Sequence, residues 1–113
     1  MFKLAQSAEY FWPVKFSLPV EGGRFEKSTF DCLFKRLSQS RIDEIILAAN
    51  SGAMKDSDIA REIVVGWRGV TDDKGDEIEF STSAFGQLLD VPMMATHIAG
   101  AFIDSLAEAR RKN

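Results

Sequence analysis

The strongest constraint on the fold lies between residues 14 and 37. Val14, Phe16, Leu18 and Val20 alternate with Lys15, Ser17 and Pro19, the two-residue period of a strand with one buried face. Glu21-Gly22-Gly23 follows, and its glycines reach the positive φ of a tight turn without steric cost. A return strand then runs from Arg24 toward Leu37, with Phe30, Cys32 and Phe34 on one face. A β-hairpin is therefore expected. Pro13 and Pro19 cannot donate to a ladder, which puts the first strand at an edge. Phe25 has the opposite parity to Phe30, so either a bulge intervenes or both faces are partly covered.

Beyond the hairpin the apolar spacing becomes helical. Ser40 is the expected N-cap of a first helix, with Asp43 as its capping-box partner. Ile42, Ile45, Ile46 and Ala49 form its stripe, and Gly52 ends it. Asp56 or Ser57 caps a second, short helix whose Ile59, Ile63 and Val64 face inward. Gly66–Val70 reads as irregular, and Asp72-Asp73-Lys74-Gly75 as a turn between two short extended pieces. Ser81 caps a helix carrying Phe85, Leu88 and Leu89. Pro92 is expected to open the last helix at its first position, where the missing N–H costs nothing. Met94, Ile98, Ala101, Phe102, Ser105 and Leu106 run down one face of that helix. Arg110, Arg111 and Lys112 then match the dipole at its C-terminus. The expected fold is α+β: an N-terminal β-hairpin followed by about four helices, packed in a single small domain over residues 1–113.

Composition narrows the function classes. A chain of 113 residues builds one core without staples. The net charge is −3 and no Lys/Arg stripe exists to neutralise a row of phosphates, so no nucleic-acid partner is expected. No apolar run approaches the roughly 20 residues that span a bilayer, and Met1–Gln6 lacks the apolar region of a secretory signal. Cys32 is the single cysteine, which suits a reducing compartment. A cytoplasmic protein without membrane contact is expected.

Residues that could carry chemistry are sparse. The acidic run Asp72, Asp73, Asp76, Glu77 and Glu79 fails as a calcium loop. Setting Gly75 at the sixth position puts Lys74 among the ligands, so a solvated turn is the better reading. His97 is the only histidine, and zinc needs three or four ligands at set spacing. A Cys32–His97 pair has no local nucleophile motif around it. Gly66-Trp67-Arg68-Gly69 lacks the lysine and the strand-to-helix context of a phosphate loop. No catalytic residue, metal ligand or cofactor is expected. Trp67, between two glycines, either packs the junction between the middle helices and the C-terminal pair or serves as a contact aromatic.

One stretch carries a resemblance. Ile63-Val64-Val65-Gly66-Trp67-Arg68-Gly69-Val70, then Asp72-Asp73-Lys74-Gly75, Ile78-Glu79-Phe80-Ser81 and Phe85-Gly86-Gln87-Leu88-Leu89-Asp90-Val91-Pro92, resembles the tail assembly chaperones of long-tailed phages and prophages. The similarity spans about residues 14 to 107, and it lies in the order and spacing of the pieces. It implies a non-enzymatic protein that binds the tape measure protein in the host cytoplasm and keeps it soluble. It also implies help to the tail tube protein, a homo-oligomer of the chain, and absence from the mature virion. A holdase needs exposed apolar surface and adaptable side chains. The candidate partner-binding residues are Phe11, Trp12, Trp67, Met93, Met94 and Phe102, although the same side chains could fill a core. A small structural tail or head-tail joining protein of the virion is the alternative.

Overall fold

The structure, a computed structural model, describes residues 1–107; the expected basic helix end at Arg110, Arg111 and Lys112 lies outside the described residues. Strand β1 (Glu9–Val20) turns through Glu21–Gly23 into β2 (Arg24–Lys35). Helices α1 (Gln39–Ser51) and α2 (Asp56–Ile63) follow, then strand β3 (Val64–Arg68), and finally α3 (Thr82–Leu89) and α4 (Met94–Leu106). The fold is α+β with an N-terminal hairpin, as expected. Among the described residues the sheet has three strands in the order β1-β2-β3, antiparallel throughout.

The hairpin is longer than its alternation indicates. Pairing runs unbroken from Glu9↔Lys35 to Val20↔Arg24, with Gly22 at φ 81° and Gly23 at φ 73° in the turn. No bulge accompanies Phe25, which faces away from the core and is exposed. The irregularity lies instead between Leu33 and Phe34, where β2 pairs with β3.

Strand β3 corrects the expectation of a helix end and an irregular stretch. Val64 has left the helix, and Val64–Arg68 pairs along β2. A Cβ on Gly66 would stand 3.2 Å from Leu33 Cδ2, so the bare backbone permits this close approach.

Three helix starts also differ. Ser38, not Ser40, caps α1 by accepting the Arg41 N–H at 3.2 Å. Lys55 precedes α2, and the Asp58 carboxylate accepts the Lys55 N–H at 2.9 Å, which draws Asp56 and Ser57 inside the helix. Pro92 stays in the turn before α4, and Met93 takes the left-handed conformation at φ 68°, so the helix opens at Met94. Ser81 caps α3 as expected, accepting the Ala84 N–H at 3.0 Å.

One sheet face carries Val14, Phe30, Cys32 and Phe34, and all four are buried. Helices α2 and α4 supply Ile59, Ala60, Ile63, Met94, Ile98, Ala99 and Phe102 to the same core. Phe34 meets Phe102 edge to face at 5.4 Å, a favoured aromatic geometry. The Tyr10 and Ser105 hydroxyls, 2.6 Å apart, tie the start of β1 to the end of α4.

Candidate partner-binding surface

Helix α1 has more apolar side chains than the core covers. Of its stripe only Ile45 is buried, while Ile46 and Leu47 are 44% and 70% exposed. The helix is held at its ends. Arg41 donates through Nε and Nη2 to Glu62 of α2 at 2.7 and 2.6 Å, a bidentate pair whose fork geometry fixes orientation. At the other end Gly52 adopts φ 81° and its N–H reaches the Ala49 carbonyl, closing the helix in the left-handed manner open to glycine.

Between α1 and α4 this leaves a cavity of about 330 Å³. Ile42, Ile45, Ile46 and Ala49 form one wall, Ala99, Gly100 and Ile103 the other, and Ile59 and Phe102 line the space between. The small Ala99 and Gly100 keep the α4 wall low; nothing lies within 4 Å of a Cβ built on Gly100. Asp56 is the one charged residue in the lining, and its carboxylate accepts the Thr96 hydroxyl at 2.9 Å. Such a surface binds hydrocarbon by dehydration.

A second apolar surface projects from the sheet. Every residue from Ser17 to Thr29 is exposed, including Leu18, Val20 and the 70% exposed Phe25. The Arg36 N–H donates to the Ala8 carbonyl at 2.9 Å, which sets the phase of the ladder. Even-numbered residues of β1 therefore bond toward β2, and Pro13 and Pro19 fall on the free edge. That edge lacks two donors and resists strand addition.

The six candidate residues are scattered. Phe11 lies 41% exposed under the Arg68 guanidinium, 4.0 Å from its ring centroid. Trp12 is half-buried beside a groove between β1 and α4 that His97 also lines. Trp67 is half-buried, edge-to-face with Phe80 and Phe85, and its indole N–H donates to the Ile78 carbonyl at 2.7 Å. It thus packs β3 against the entry to α3. Met93 is 64% exposed, but Met94 and Phe102 are core residues at 2% each. Sequence alone does not single out the α1 face and the hairpin arm, because an apolar stripe and an alternating strand look the same whether or not something covers them.

Cys32 and His97 have structural surroundings. Burial, aided by the neighbouring Asp31 carboxylate, pushes the Cys32 thiol up to about 12, which leaves little of the reactive thiolate near neutrality. The His97 ring stacks on Phe16 at 5.8 Å. Asp72 closes its own turn, accepting the Lys74 and Asp76 N–H groups at 2.9 and 3.0 Å. Among the described residues no group of three or more His, Cys, Asp or Glu is placed to hold a metal. No helix there is long and apolar enough to cross a membrane.

What these features define is a small domain with two uncovered apolar surfaces. No family model, curated protein or solved structure matches the chain.

Proposed function

We propose that this protein is a tail assembly chaperone of a long-tailed phage or prophage. In this reading it is not an enzyme. It binds the tape measure protein in the host cytoplasm, keeps it soluble while the tail tube protein assembles, and leaves before the virion is complete. The observation that carries the proposal is the open apolar groove between α1 and α4, with its hydrocarbon lining and single carboxylate. The identity of the client comes from the resemblance of the ordered series Gly66 to Pro92. Co-expression with the long protein encoded beside this gene tests it. The client's soluble fraction should rise with the wild-type chain and fall back with Ile46→Asp, which places a charge on the groove wall. A client equally insoluble with and without the wild-type chain would defeat the proposal.

A structural role in the virion is the second reading, favoured by the exposed hairpin arm, since projecting strands suit permanent contacts between subunits. Mass spectrometry of purified particles separates the two. Stoichiometric presence selects the structural role, and absence selects the chaperone.

A further inference from the structure

We propose that copies of this chain join head to tail, the hairpin arm of one seating in the α1–α4 groove of the next. The proposal shares the groove with the chaperone reading, and its test uses no client, so the two can fail separately.

The two surfaces are both apolar and uncovered, and they are unlike. The arm is a narrow two-stranded ribbon with Leu18 and Val20 on one face and Phe25 on the other, while the groove is a concave slot lined by isoleucines. A continuous strand register holds the arm in line with its own sheet, so the groove it fills belongs to another molecule. Charge selects the pairing. Residues 1–38, up to the cap of α1, hold six Lys or Arg against four Asp or Glu, a net +2, whereas residues 39–107 hold five against twelve, a net −7. Two hairpin halves repel, two helical halves repel, and hairpin against helices attracts. Locally the arm carries Lys15, Arg24 and Lys27, with Glu21 and Glu26. The groove is lined by Asp56 without a cation, and at the positions flanking lining residues Asp43 and Asp104 stand with Arg41 and Lys55. The proline-blunted edge of β1 disfavours edge-to-edge stacking there, which leaves the arm's side chains to make the contact.

Such a contact is heterologous, so it generates rings or open filaments. That gives a decisive mixing experiment by sedimentation velocity. The wild-type chain should form assemblies that grow with concentration. Phe25→Asp, which spoils the arm, and Ile46→Asp, which spoils the groove, should each be monomeric. Mixed, they should form a 1:1 dimer and nothing larger, because one intact arm and one intact groove survive between them. Asn50→Arg, an exposed groove position, repeats the groove arm of the test if Ile46→Asp loses its native circular dichroism. A monomeric wild type overturns the proposal. So does a groove variant that assembles normally while the arm variant does not, which would indicate arm-to-arm strand pairing through β2. A mixture that forms no dimer overturns it as well.

Discussion

Cys32 has no exposed surface and lies on the core face of β2, so its proton is part of the fold. The thiol is raised from 9.0 to about 12, which means the native state keeps a proton that the unfolded chain releases. The sign follows from linkage: the contribution is complete below pH 9 and is lost as pH rises through the window to about 12. Cys32→Ala lacks that contribution, while every other titrating group is common to both proteins. The difference in unfolding free energy between wild type and variant should shrink by about 1.4 kcal/mol per pH unit above 9. Urea denaturation of both at pH values below and within the window measures it, and a constant difference would show that the thiol ionises freely in the fold. At this scale the sequence was only partly legible. That Cys32 is a buried hydrophobe could be read from the run Phe30–Phe34. For Trp67 the sequence offered a packing role and a contact role without deciding between them, because Phe80 and Phe85 reach it only after the Asp72–Gly75 turn folds the chain back. Met93 and Met94 separate for a local reason that their side chains do not announce. The left-handed Met93 shifts the helical phase, so one methionine meets solvent and its neighbour enters the core.

Among the elements, α1 combines a well-formed cap at each end with thin cover along its length. Its position depends on the Arg41–Glu62 pair, where the Arg41 guanidinium holds the Glu62 carboxyl below the usual glutamate range. Exposed pairs add little to global stability, but this one ties a lightly packed helix to the core. Arg41→Ala should therefore speed amide exchange throughout α1 and leave α2 and α4 protected. In the wild type, α1 should also loosen as acid protonates Glu62, because a lowered carboxyl pKa stabilises at neutral pH and is lost as pH falls through it. Unchanged α1 exchange in the variant would mean that Ile45 alone anchors the helix. Elements with strong periods, the hairpin and α1, could be read from the sequence. Strand β3 could not: Val64 also fits the helical stripe of Ile59 and Ile63, five residues establish no period, and Gly66 argues against a strand. Pairing with β2 decides it, and that information is tertiary.

At the scale of the whole molecule, the described residues extend 46 × 33 × 31 Å, and the exposed arm offers a cut that divides folding from assembly. Removing Ser17–Val20 together with Arg24–Lys27 joins Phe16 through Glu21-Gly22-Gly23 to Ser28. Phe16↔Ser28 and Val20↔Arg24 have the same ladder phase, so the turn closes on an equivalent pair and the remaining register is preserved. None of the excised residues is buried. The thermal midpoint of the shortened chain should therefore stay within a few degrees of the wild type, in the range of roughly 1 kcal/mol or less for surface changes. Its self-association should disappear, since Leu18, Val20, Phe25 and two of the arm's cations leave together. Differential scanning calorimetry and sedimentation on the same preparation read both outcomes. Salt gives an independent check on the wild type: if opposite net charges draw arm to groove, assembly should weaken as ionic strength shortens the screening length. A shortened chain that unfolds would make the arm part of the folding unit. One that still assembles would place the contact elsewhere on the molecule, leaving the groove free for a client at all times.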